Sequence, residues 1–222
     1  MMRADADGRS RPLWRGNPRL LLGALVLQIV LLPVAGWTDF PVARVLSTLT
    51  ILGALDLACR NRRDMTIGLG LGIPAIVLTW VSTLPGTQSL HHVTYLFVIA
   101  LYLFILNRML RRVVGARIVD ADTIVLAICS YLILGAVWAL AYIPLVHYAP
   151  GSFVGLDGAD TAARVDDLYY LSYVTLTTLG FGDITPATPL ARALVVLESI
   201  TGVLFTAVLI AMLMGKYTTR RS

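Results

Sequence analysis

Lysine and glutamate are almost missing from this chain: one of each stands among 222 residues, against 17 arginines. Charged residues of every kind make up only 14% of the sequence, while 57% of it is hydrophobic. A chain this poor in charge cannot cover its apolar surface with a polar shell, so a water-soluble globular domain is excluded. Cysteine is scarce too: Cys59 and Cys129 fall near the end of one apolar block and inside another, so no disulfide framework is expected. No Ser/His/Asp, Cys/His or metal-ligand set gathers on one polar face, so neither an enzyme nor a resident cofactor is expected. The net charge of +5 sits in short basic clusters between apolar blocks, a mark of membrane topology, and no nucleic-acid partner is expected.

What the chain has is hydrophobic blocks, each close to the roughly 20 residues that cross a hydrocarbon layer. Six are expected to span, at about 20–37, 42–58, 65–84, 92–108, 121–147 and 189–214. The first is longer than a signal-peptide core and lacks a small-residue cleavage site, so it is kept as a span. Residues 1–19, with Arg3, Arg9, Arg11, Arg15, Arg19, Pro12 and Pro18, show no apolar periodicity and are expected to form a disordered basic arm near anionic headgroups of the membrane lipids. The arm, the loops at 60–63 and 108–117 and the tail hold 15 of the 18 Lys and Arg, and the loops 38–41 and 85–92 hold none. The positive-inside rule then puts both termini in the cytoplasm of a multi-pass protein of the cell (plasma or inner) membrane, with the loop between the last two spans facing out.

That loop contains a polar stretch, 148–166, a short apolar segment, 167–178, and the run Leu171 to Pro186, which reads Leu-Ser-Tyr-Val-Thr-Leu-Thr-Thr-Leu-Gly-Phe-Gly-Asp-Ile-Thr-Pro. A dehydrated cation needs a cage of oxygens, and backbone carbonyls supply one only when successive peptides turn the same way. Gly180 and Gly182 can take positive φ at little steric cost, which permits that turning. Thr178-Leu179-Gly180-Phe181-Gly182-Asp183 has the form Thr-x-Gly-aromatic-Gly-Asp and resembles the selectivity filter of potassium channels, the standard instance of carbonyl-lined ion selection. The resemblance covers about 121–217 and is specific near 167–189; over 1–120 it rests on span count alone.

The resemblance implies an all-α membrane protein with six transmembrane helices, a re-entrant pore helix and filter loop between the last two, and a homotetrameric pore that passes K+ without a cofactor. K+ is expected at the carbonyls of Thr178, Leu179, Gly180 and Phe181 and at the Thr178 hydroxyl, with Gly182 completing the loop and Leu179 and Phe181 packing outward. Asp166 and Asp167 are expected to cap a pore helix of about 12 residues, whose C-terminal dipole favours a cation. Asp183 and Tyr170 are expected to support the filter through a hydrogen bond. The acid that pairs with this aspartate in well-studied members has Val174 at its position. Gly202, twenty residues after Gly182, falls at the family's gating hinge, or serves close packing instead. Thr206, Ile210 and Met214 follow it at helical spacing and are expected to line the cavity and its inner constriction. Glu198, the one glutamate, is expected to be a structural partner or part of the pore wall.

The chain divides accordingly into a cytoplasmic basic arm (1–19), a four-helix membrane domain resembling a degenerate sensor (20–112), a pore domain (113–217) and a short cytoplasmic tail (218–222). The fourth span carries no charge from Val93 to Asn107, so steep voltage gating is not expected. Asp56 and Arg60, one helical turn apart, are expected to pair near the inner interface, or Asp56 is a remnant countercharge. His91 and His92 read as a solvated outer loop, with a metal or proton sensor as the alternative. No ligand-binding domain is expected after Gly215, which leaves regulation to the bilayer, the first four spans or a separate regulatory subunit. The function expected is a potassium-selective channel conducting passively. The alternatives are a weakly selective cation channel, and a non-conducting sensor or scaffold; a transporter subunit would carry four such loops where this chain has one.

Overall fold

The computed structural model describes residues 3–4, 10–11, 17–35, 42–59, 61–82, 91–116, 119–156 and 161–218. In chain order these form β1 (Arg3–Ala4), β2 (Ser10–Arg11), α1 (Pro18–Ala35), α2 (Val42–Ala58), α3 (Arg62–Val81), α4 (His91–Gly115), α5 (Ala121–Tyr148), β3 (Phe153–Val154), α6 (Thr161–Leu176), β4 (Thr185–Pro186) and α7 (Pro189–Thr218). Both strand pairs are antiparallel, with Arg3 opposite Arg11 and Phe153 opposite Pro186. Six of the helices coincide with the six apolar blocks. Four of the described ones are long and apolar enough to cross a membrane: Arg62–Val81, Val93–Gly115, Ala121–Tyr148 and Pro189–Met212. The chain is an all-α membrane protein.

Local chemistry sets the helix starts. Asn17 accepts the backbone N–H of Arg19 at 3.0 Å, and Pro18 occupies the first helical position, where its missing N–H costs nothing. Asp120 caps α5, accepting from Thr123 N–H at 2.8 Å and from Thr123 Oγ1 at 2.6 Å. Thr188 and Pro189 repeat the cap-then-proline arrangement at α7, with Ala191 N–H 3.3 Å from Thr188 Oγ1.

The centre of the molecule is α5, which packs against α1, α4, α6 and α7. In its apolar window 61% of residues are buried, against 11% in that of α7. A small residue brings two helices close: a methyl group at Gly135 would meet the Tyr173 ring of α6 at 2.5 Å.

Three expectations are corrected here. The pore helix begins at Thr161, so Asp166 and Asp167 lie inside it and do not cap it; Ala162, Ala163 and Arg164 are good helix formers and carry the helix back toward its N-terminus. The basic segment after the fourth span is not all loop, because α4 runs on through Arg108, Arg111 and Arg112 to Gly115. Within the basic arm, the β1–β2 pairing supplies regular structure where none was expected. The expected Asp56–Arg60 pair and the His91 and His92 side chains lie outside the described residues.

The charge pairing among the first four helices is long-range. Arg108 Nη2 sits 2.6 Å from Asp64 Oδ1, joining α4 to α3, and its guanidinium lies 5.4 Å from the Phe104 ring centroid. Arg112 donates to the Leu57 carbonyl of α2, and Cys59 Sγ donates to the Asp64 carbonyl at 3.3 Å. These arginines therefore tie the end of α4 to the α2–α3 corner. Removing one partner of a fully buried pair costs about 3–5 kcal/mol; Arg108 keeps 32% of its side chain exposed, which lowers the cost. Asp64→Asn is expected to lower the Tm of the detergent-solubilised protein by several degrees. Arg108→Gln combined with it should cost less than the two single changes added, and additive losses would show that the pair contributes nothing.

Candidate functional site

The site lies where α6 ends and the chain turns back toward α7. Amides of the turn are tied to carbonyls of the last helical turn: Thr177 N–H to Tyr173 at 3.0 Å, Thr178 N–H to Thr175 at 2.9 Å, and both Leu179 and Gly180 N–H to Val174, at 2.9 and 3.3 Å. This satisfies carbonyls that a helix C-terminus otherwise leaves open. Val174, at the position of the family's missing acid, thus contributes its backbone.

Three alternate residues of the turn are left-handed: Thr178 at φ 60°, Gly180 at 58° and Gly182 at 80°. For the two glycines this costs little. For a β-branched threonine it is strained by about 1–3 kcal/mol, and strain of this kind persists where surroundings and function hold it. The side chains of the turn face away from the rest of the chain, Leu179 being 57% and Phe181 66% exposed.

Beyond the turn, the Tyr170 hydroxyl donates to Asp183 Oδ2 at 2.6 Å, and Ile184 N–H donates to Asp183 Oδ1 at 3.0 Å. The Tyr170 bond, aided by that amide, holds the Asp183 carboxyl below the usual carboxylate range against a smaller opposing effect of burial. At the exit of the turn, β3 pairs with β4, Ala187 N–H donates to the Ser152 carbonyl at 2.8 Å, and a methyl group at Gly155 would collide with the Asp183 carbonyl oxygen. The loop after α5 therefore clamps the exit of the turn, a contact that the polar stretch 148–166 did not announce.

Behind the turn, a methyl group at Gly202 would collide with the Leu176 carbonyl oxygen, which also accepts the Tyr131 hydroxyl at 2.9 Å. Close packing against the end of α6 is thus a sufficient reason for glycine at this position. Thr206 Oγ1 donates to the Gly202 carbonyl at 3.1 Å. Further along α7, Ile210 and Met214 are 56% and 60% exposed. Glu198 is fully buried and bonded to Tyr142 and Ser172. Sequence reasoning missed Tyr142, Ser172 and Tyr131; the available signal was a hydroxyl inside an apolar helix, which needs a partner when buried.

A spanning helix, a half-length helix ending in a left-handed turn, and a second spanning helix make up the pore unit of a membrane ion channel. Residues 126–219 match a family model described as an ion channel. Over 92 residues, 40% of the chain, the sequence is 33% identical to the inward rectifier potassium channel Kirbac3.1 of Paramagnetospirillum magnetotacticum, and the match spans 27% of that relative. The C-terminal region, 126–219, is thus similar to ion channels, and the chain spans about a quarter of the length of the potassium channel that it matches.

Tyr170→Phe is expected to move the Asp183 titration upward, toward the ordinary carboxylate value. Because the folded value is depressed, the charge-assisted bond is intact at neutral pH and is lost as pH falls through that lowered value. Carboxyl-carbon NMR of labelled protein checks this; an unmoved titration in the variant would show that the bond does not form.

Proposed function

We propose that the protein is a potassium-selective channel that conducts K+ passively through a pore made by four copies of the chain. The alternation of left-handed residues at Thr178, Gly180 and Gly182 carries this proposal. It turns successive peptides the same way, so the carbonyls of Thr178, Leu179, Gly180 and Phe181, with the Thr178 hydroxyl, replace the hydration shell of K+. Gly182 lets the chain leave the ion path, and Tyr170 and Asp183 brace its exit. The C-terminal end of α6 points its dipole at the cavity and favours a cation there.

The same turn argues for the oligomer. Non-helical backbone at membrane depth is tolerated only when it is buried in protein or lines a water path. One chain leaves Leu179, Phe181 and most of α7 uncovered. Further copies around a common axis supply the wall for these side chains and close the ring of carbonyls. Both termini lie in the cytoplasm of the cell membrane by the distribution of arginine, and the arginines of α4 lie at its inner end, which supports gating that is not steeply voltage-dependent.

Liposomes loaded with K+ against external Na+ test the proposal. K+-selective flux is expected from the wild-type protein and is expected to vanish in Gly180→Ala, because a side chain is strained at its left-handed φ. Equal K+ and Na+ flux would favour a weakly selective cation pore, and no flux under any voltage or pH would favour a sensor or scaffold. For gating, Gly202 serves as the bending point of α7, while Thr206, Ile210 and Met214 line the inner path and form an apolar ring that closes by dewetting. Met214→Ser is expected to raise resting K+ flux; unchanged flux would place the constriction elsewhere.

A further inference from the structure

Glu198 sits inside the apolar span of α7, Pro189–Met212, with 0% of its surface exposed. Among the described residues the ion pairs are Arg19–Asp122 and Arg108–Asp64, and neither reaches it. The titratable groups that face it are Tyr142 and Tyr131 from α5 and Tyr173 from α6, all of them hydroxyls. A lone carboxylate in such a place has no cation to offset its desolvation.

The hydrogen-bond partners account for every proton. The Tyr142 hydroxyl donates to Glu198 Oε2. Ser172 Oγ on α6 lies 2.5 Å from Glu198 Oε1 and 2.7 Å from the Gly135 carbonyl oxygen of α5. A hydroxyl has one proton to give, and a backbone carbonyl only accepts. If Ser172 gave its proton to Glu198, two bare lone pairs would face each other at the Gly135 carbonyl. If Ser172 gives it to Gly135, the contact with Oε1 requires a proton that belongs to the carboxyl. With that proton present the chain of donors runs unbroken from Tyr142 and Glu198 through Ser172 to Gly135, and no acceptor meets another acceptor.

We propose that Glu198 is held as a neutral carboxylic acid that accepts from Tyr142 and donates to Ser172, and that in this form it is a positioning residue joining α5, α6 and α7 behind the turn. Ser172 lies six residues before Thr178, and Gly202, one turn after Glu198, rests on the Leu176 carbonyl at the end of the same helix. The acid thus sets where α6 ends, and with it where the turn begins. It occupies the inner helix, whereas the pore-helix position that carries an acid in related channels is Val174 here.

Only the flux readout below rests on the proposed K+ conduction; the infrared readout stands apart from it. In purified full-length protein at neutral pH, the difference spectrum of wild type minus Glu198→Gln is expected to show a protonated-carboxyl C=O stretch, and Ser172→Ala should shift that band upward as the donated bond is lost. Glutamine keeps the same roles, its amide N–H donating to Ser172 and its carbonyl accepting from Tyr142. Glu198→Gln is therefore expected to retain selective flux within about fivefold of wild type, the scale of one ordinary hydrogen bond, whereas Glu198→Ala is expected to lose more than about tenfold or to fail to assemble. Absence of the carboxyl band would overturn the neutral state. A Glu198→Gln protein that assembles like wild type yet loses flux or selectivity would overturn the positioning role of the neutral acid. Silent wild-type protein that still shows the band would instead leave the acid standing and count against conduction.

Discussion

The constraint on which this structure depends is the cost of leaving peptide groups unpaired where there is little water. The described helices meet it by bonding within themselves. The segment 177–183 cannot, since left-handed residues at 178, 180 and 182 break the helical ladder. Its solution is local: the last turn of α6 offers its open carbonyls to the amides of Thr177, Thr178, Leu179 and Gly180. The turn is thereby hung from the pore helix, and whatever positions α6 positions the turn.

Three groups of contacts do so. On the outer side, the pairing of β3 with β4 and the Tyr170–Asp183 bond hold the segment that leaves the turn. On the inner side, Gly202 and the Tyr131 hydroxyl both meet the Leu176 carbonyl. Between them, Glu198 links α7 to Tyr142 and Ser172. The contacts behind the turn join α5, α6 and α7 through a glycine, Gly202, or through the hydroxyls of Tyr131, Tyr142 and Ser172.

The four-helix domain follows a different logic. Its arginines are gathered toward the C-terminal end of α4, where Asp64, the Leu57 carbonyl and the Phe104 ring hold them. α1 and α4 pack directly against α5, so the first four helices and α5–α7 are joined within one chain.

Much of the fold was legible in the sequence, because membrane spans are written as local composition: the six apolar blocks and the short helix before the turn depend on neighbouring residues. The motif Thr178–Asp183 was legible for the same reason, as two glycines in fixed spacing predict their own left-handed backbone. The start of α6 was misjudged because Asp166 and Asp167 resemble a cap, and only the helix-forming run before them decides otherwise. What the sequence by itself determined is where the chain crosses the membrane and which residues form the turn. Tertiary structure alone decided that Thr178 is left-handed, that Asp64 holds Arg108, that a two-residue strand clamps the exit of the turn, and that the single glutamate bonds to two hydroxyls. A buried polar group takes its partner from whichever helix packs against it, and that choice follows from the packing of apolar faces across the whole bundle, where no local pattern records it.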